Sequence, residues 1–248
     1  MGFPSSWQCV GFSEIDKFAI QIYKKHFPNH QNYGNATTIN AQHLPTFDLL
    51  CGGFPCQSFS SAGKRRGFQD TRGTLFFEIA RILNAKKPDY LLLENVRGLL
   101  SHDQGATFNT ILQELDGMGY DLQWQVLNSL HYTGQNRQRV YIFGHLRGRP
   151  RPSIFPLKLR SPIHLTKVKN SGKRYMACVV TRSPKSRRSP DMGFIYQKNR
   201  IRQATITEVE RLQGFPDGWT EGVSPTQRWK VLGNAVTVPV IRDIIKNL

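Results

Sequence analysis

A chain of 248 residues can bury a full core and fits one α/β domain, or one large and one small domain. It carries 34 Lys and Arg against 17 Asp and Glu, a net charge of +17. It has no apolar run long enough to span a membrane and no basic flank or apolar core of a signal peptide after Met1, so a cytoplasmic protein with no membrane contact is expected. The four cysteines (Cys9, Cys51, Cys56, Cys178) form no Cys-x-x-Cys pair, which gives no sign of a disulfide framework or a zinc site, and no metal is expected.

In chain order, Trp7 to Phe12 reads as a strand, and Ser13 with Asp16 three residues on reads as a helix start running to Phe27, where Pro28 stops it. Glu14 at the tip of that strand is where doubly wound folds hold a nucleotide ribose; plain first-turn charge explains it equally well. Phe47, Leu49 and Leu50 form a short apolar strand that breaks at Gly52-Gly53 and empties into a loop carrying Pro55 and Cys56. Pro55 fixes its own φ and the glycines permit angles closed to other residues, so the chain itself aims the Cys56 thiol. A thiol held among backbone N–H groups is a candidate nucleophile, and an inert core cysteine is the plainer alternative.

Thr74 to Asn84 reads as a helix with Leu75, Phe76, Ile79 and Leu83 inward. Tyr90 to Leu93 is a buried parallel strand that delivers Glu94 and Asn95 at its carboxyl end, where open α/β sheets place ligands. A helix over Phe108–Leu115 and strands over Gln123–Leu127 and Val140–Gly144 follow. Arg137 and Arg139, two apart in an extended stretch, point the same way and suit a phosphate or a base edge, or else surface ion pairs. From Arg147 to Arg202 there are 16 Lys or Arg and one acid, Asp191, so one segment carries the electrostatics of a polyanion binder. A solvated basic linker, disordered when unbound, is the alternative there. Thr207 to Leu212 reads as a short helix, and Val238 to Ile245 as a terminal helix begun near Pro239.

Five segments stand in order: Phe54-Pro55-Cys56-Gln57-Ser58-Phe59-Ser60, Glu94-Asn95-Val96, Gln135-Asn136-Arg137-Gln138-Arg139, Arg211 to Asp217, and Gly233-Asn234-Ala235-Val236. Together they resemble the DNA cytosine-5 methyltransferases of the bacterial restriction-modification kind. The resemblance implies a Rossmann-like α/β fold that binds S-adenosylmethionine and acts on double-stranded DNA, with the target cytosine flipped out of the duplex so that the chemistry can reach it. It puts Cys56 in the nucleophile position, adding to carbon 6 of cytosine. Glu94 relieves charge at N3, and Arg137 and Arg139 support the base and the Glu side of the pocket. For the cofactor it implies Glu14 at the ribose, Ile15 beside the adenine, and Asn35, Gly53, Phe54, Pro55, Asn234 and Val236 around it. For DNA it implies Gln57, Ser60, Arg182, Arg187 and Arg188.

The same resemblance implies a catalytic domain over residues 1–146, a reduced target-recognition region over 147–225 and a helix over 226–248 that packs back on the first. A monomer is expected, with a cognate restriction endonuclease as a possible companion. The chain departs from the family in having Asn35 where an Asp is common, in shortening Gly-x-Pro to Thr133-Gly134, and in its short recognition region. The family's first strand and Gly-rich loop do not precede Glu14, so an Asp-Leu-Phe-x-Gly-x-Gly-Gly-like stretch is expected upstream of Met1. An inactive remnant or half of a split methyltransferase that binds DNA, and an RNA cytosine-5 methyltransferase, are the alternative readings.

Overall fold

The computed structural model describes residues 1–55, 75–150, 152–159, 161, 176–177, 194–197 and 200–248. Cys56, Gln57, Ser60, Arg182, Arg187 and Arg188 lie outside the described residues. The described strands are β1 (Leu49–Gly53), β2 (Tyr90–Val96), β3 (Tyr120–Asn128), β4 (Gln135–Asn136), β5 (Gln138–Leu146), β6 (Met176–Ala177), β7 (Phe194–Gln197) and β8 (Arg200–Gln203). The described helices are α1 (Lys17–His26), α2 (Leu75–Lys86), α3 (Ala106–Gly117), α4 (Ile206–Gln213), α5 (Pro225–Asn234) and α6 (Val238–Ile245).

Four strands form the central sheet in the order β1-β2-β5-β3. β1 runs parallel to β2, with Leu49 opposite Tyr90 and Gly53 opposite Glu94, while β5 is antiparallel to both β2 and β3. The expectation of a wholly parallel setting for β2 therefore holds on one side only. β4 pairs with β6, and β7 with β8.

Period-two alternation sorts the sheet's side chains into two cores. Leu50, Leu91, Leu93, Val140 and Ile142 pack against α2 and α3, whose Phe76, Leu83, Ile111 and Leu115 are fully buried. On the other face Leu92, Tyr141 and Phe143 meet Val240, Ile241 and Ile244 of α6, together with Ile154 and Leu157. The 152–157 segment is fastened there by two glutamines of β3. Gln123 donates to Pro152 O and accepts from the Ile154 and Phe155 N–H groups, and Gln125 accepts from Leu157 N–H. A third cluster joins α4 and α5 around Val209, Trp229 and Leu232.

Several expected boundaries move. Trp7–Phe12 is not a strand: Phe12 makes one parallel bridge, to Asn32, and the rest of that stretch has no ladder partner among the described residues. Helix α1 starts three residues later than expected. Its cap is Asp16, whose carboxylate accepts from the Phe18 and Ala19 N–H groups, whereas the Ser13 hydroxyl donates to Gly34 O. β1 continues through Gly52 and Gly53, which pair with Leu93 and Glu94, rather than breaking there, and Gly52 passes close to α2, where a Cβ would lie 3.3 Å from Ile79. The helix expected over 226–248 is two helices, α5 and α6, separated at Ala235–Thr237, and Pro225 behind Ser224 starts the first. Among the described residues no helix is long and apolar enough to cross a membrane.

Candidate active site

The site lies at the carboxyl ends of β1 and β2, the edge where open α/β sheets collect ligands. Register places Gly53 beside Glu94 on the α6 face of the sheet, and Arg139 lies on the same face two residues from Tyr141, the partner of Glu94. Arg139 Nε stands 3.0 Å from Glu94 Oε1, and the two side chains are only 16% and 18% exposed. Burial pushes the Glu94 carboxyl above its ordinary range, against the opposing pull of the Arg139 and then the Arg137 guanidinium. A carboxyl in this state retains its proton to a higher pH than one in water, and Gly53 leaves room beside it: a Cβ there would be 3.5 Å from Glu94 Oε2.

Asn95 points to the opposite face and is 3% exposed. Its Nδ2 donates to Phe54 O at 2.8 Å and its Oδ1 accepts from Val96 N–H at 2.8 Å. The carbonyl two residues before Cys56 is thus tied to the residue next to Glu94. Phe54 itself is buried against Phe76 and faces away from Gly53, on the other side of the pleat.

Arg137 and Arg139 do not present parallel guanidiniums. Arg137 sits between β4 and β5, is 4% exposed, and donates through Nη2 to Gly233 O at 3.1 Å and Ala235 O at 3.0 Å. Gln213 grips the same turn from α4, donating to Leu232 O at 2.7 Å and accepting from the Thr237 hydroxyl at 2.9 Å. Thr237 continues the chain to Ser129. Two of the recognised segments therefore hold the third, Gly233 to Val236, by its backbone. Next to Arg137, the side-chain amide of Gln135 is completely buried, and among the described residues neither its oxygen nor its nitrogen has a partner.

The Arg211–Asp217 segment is closed on itself by the Arg211–Asp217 ion pair, and just before it stands Glu210, a fully buried carboxylate. Glu210 accepts from Gly218 N–H, Thr220 N–H, the Thr220 hydroxyl and Arg228 Nη2. Burial acts to raise its pKa, yet these donors outweigh it and hold the carboxyl below its usual range.

Beside β1 lies a cavity of about 1540 Å³, larger than a typical small-molecule site. Glu14, Ile15, Asn35, Gly53 and Val236 line it, whereas Phe54, Pro55 and Asn234 do not. Ile15 is 71% exposed, an apolar side chain standing open next to an acid. Glu14 Oε1 accepts from the Ile15 and Asp16 N–H groups, and Asn35 Oδ1 caps a short 3₁₀ turn at Thr37 N–H. Cys51 opens on the cavity yet is walled by protein, and burial, with a smaller effect from Cys9, pushes its thiol up to about 12. An acid, an open aliphatic side chain and a bare glycine around one cavity fit a nucleoside-bearing cofactor: the acid for ribose hydroxyls, the aliphatic for the base, and the glycine for close approach.

What the sequence alone could not supply is the role of residues outside the obvious acids and bases. Asn95 and Gln213 act through backbone groups 41 and 19 residues away, and only the polar type of each residue at a strand or helix end hinted at it.

The sheet, its helical layers and the acid at the end of β2 define a Rossmann-like methyltransferase. The chain belongs to the C-5 cytosine-specific DNA methylase family, whose model matches residues 2–171 and 158–248. It is 38% identical over 279 residues to the Type II methyltransferase M1.ScrFI of Lactococcus lactis subsp. cremoris, covering 95% of this chain and 70% of that protein. With the Type II methyltransferase M.NlaX of Neisseria lactamica the identity is 36% over 286 residues, covering all of this chain and 91% of the relative. Among solved structures, the S. pombe Dnmt2 methyltransferase superposes with a TM-score of 0.76 at 18% identity, covering 97% of this chain and 90% of that one, a likeness of fold.

Proposed function

We propose that the protein transfers a methyl group from S-adenosylmethionine to carbon 5 of a cytosine flipped out of duplex DNA, through a transient bond between Cys56 and carbon 6. The observation that carries this reading is the buried Glu94–Arg139 pair, one residue from the Asn95 amide that holds the chain leading to Cys56. Glu94, whose proton burial holds to a higher pH than water would, donates to N3 as the Cys56 thiolate adds to carbon 6, so that charge pushed into the ring is met there. Arg139 keeps the carboxyl oriented through Oε1. Arg137 fixes the Gly233–Ala235 turn, and with it Val236, against the cavity in which Glu14 and Ile15 would hold the cofactor. S-adenosylmethionine supplies the electrophilic methyl group. Loss of the carbon 5 proton to a base then lets the thiolate leave. The basic segment from Arg147 to Arg202 would meet the DNA phosphates.

Duplex DNA containing 5-fluorocytosine tests the reading, because fluorine at carbon 5 cannot leave as a proton does. With cofactor present it should trap a covalent adduct on Cys56, and Cys56→Ser should form none. An adduct on another cysteine would overturn the assignment. In a cell we place the protein in the cytoplasm as the methylating part of a restriction-modification system, acting as a monomer.

A second reading is favoured by the edge of β1, which among the described residues pairs only with β2 and so presents backbone groups to which a further strand could pair. On that reading a partner polypeptide completes the cofactor site. Binding of S-adenosylmethionine by the purified chain alone would dismiss it.

A further inference from the structure

Arg97 directly follows β2, three residues beyond Glu94, about 10 Å along an extended chain and within the span of a nucleotide's sugar and phosphate. Its side chain is exposed, and Nη1 donates to Gln138 Oε1 at 2.7 Å. Several other exposed arginines among the described residues are neutralised: Arg81 meets Glu78, Arg147 meets Asp116 and Asp121, Arg149 meets Asp89 and Arg211 meets Asp217, while Arg242, on α6, donates to Met1 O. Arg97 meets the neutral amide of Gln138 instead, and Gln138 stands between the two arginines of the site. The surroundings are open. Val96 is 41% exposed, and a Cβ on Gly98 would meet nothing within 4 Å.

A guanidinium has five N–H donors in a fixed fork and no acceptor. Held through one of them by an uncharged partner, it keeps its full charge and offers the remaining donors to an incoming anion, with part of the ordering cost already met. A carboxylate partner would have cancelled that charge. The position, three residues past Glu94 at the same carboxyl edge of the sheet, selects an anion carried by the substrate.

We propose that Arg97, held by Gln138, binds a backbone phosphate of the DNA strand that carries the target cytosine, next to the flipped nucleotide. Arg97 is then a binding residue of this reaction, and Gln138 its positioning residue. The inference rests on the methyltransferase reading of the Glu94 pocket.

The test is the salt dependence of duplex binding and the steady-state kinetics of methyl transfer, with the full chain and S-adenosylmethionine. Arg97→Ala should weaken duplex affinity about tenfold, equally for duplexes of any sequence, and raise the KM for DNA more than it lowers kcat. The slope of log affinity against log salt should shrink by about 0.9. Arg97→Lys should restore the slope, and Gln138→Leu should raise KM with the slope intact, because the charge remains but is no longer held. An unchanged slope in a folded Arg97→Ala protein overturns the proposal while leaving the methyltransferase reading standing. A wild-type chain that binds cofactor but neither binds nor methylates duplex DNA overturns both.

Discussion

Replacing Asn95 by Ala removes two hydrogen bonds at once, the donation to Phe54 O and the acceptance from Val96 N–H, both 2.8 Å long. The site is buried, so water cannot readily replace the lost donor, and an unsatisfied buried carbonyl costs about 1–3 kcal/mol. Part of that cost appears as stability. The functional part arises because Phe54 O fixes the direction in which the chain leaves toward Pro55 and Cys56, and misdirection of a reacting group is felt mainly in the transition state. If the full penalty falls on catalysis, methyl transfer slows by about 5- to 150-fold. Single-turnover transfer of labelled methyl groups to duplex DNA reads the chemical step, and urea unfolding of the same variant reads stability. Asn95→Asp should be no rescue, since it supplies an acceptor where a donor is needed. A single-turnover rate equal to wild type, alongside a lowered urea midpoint, would refute the reasoning and leave Asn95 a purely structural residue.

Because burial raises the Glu94 pKa, its proton is present at lower pH and lost as pH rises through the raised value; kcat/KM should fall over that window, as should the stability contributed by the protonated group. Glu94→Gln, which cannot transfer a proton, should remove that limb of the profile and slow transfer by about 10²- to 10⁴-fold, and a variant that kept the limb would place the titration elsewhere. Gln135→Met should raise the urea midpoint by the equivalent of about 1–3 kcal/mol, since it exchanges a buried amide with no partner among the described residues for an apolar chain of similar size; a lowered midpoint would mean that the amide is satisfied in solution.

The parts of the fold that were legible in the sequence are those whose signal is local. Tyr90 to Leu93 could only be a buried strand, and the apolar face of Val238 to Ile245 announced α6. Trp7 to Phe12 misled because alternation describes a strand's faces and says nothing of its partner; Phe12 finds Asn32 and the remainder finds no ladder among the described residues. Ser13 resembled a cap, but Gly34 O claims its hydroxyl, and Asp16 was free to take the helix start. In the site, Glu94 was legible as an acid at a strand end. Glu210 was not, because on α4 it reads as ordinary helix charge, and its burial depends on donors that arrive 8 to 18 residues later. Arg137 and Arg139 shared a direction in an extended chain, yet Arg137 falls in the break between β4 and β5, which frees its side chain to seek Gly233 and Ala235.

That last contact sets an order of events during synthesis. Arg137 must wait 96 residues for the Gly233 carbonyl, by which time the ribosome has made nearly all of the sheet and the basic segment behind it. Closing so wide a loop is slow compared with the local pairing of β3 and β5, so the catalytic half should collapse first and stay incomplete until the Gly233–Ala235 turn docks. A nascent chain would then carry an exposed, buried-to-be arginine and no assembled cofactor wall, and would be unable to modify DNA until the Gly233–Ala235 turn had docked.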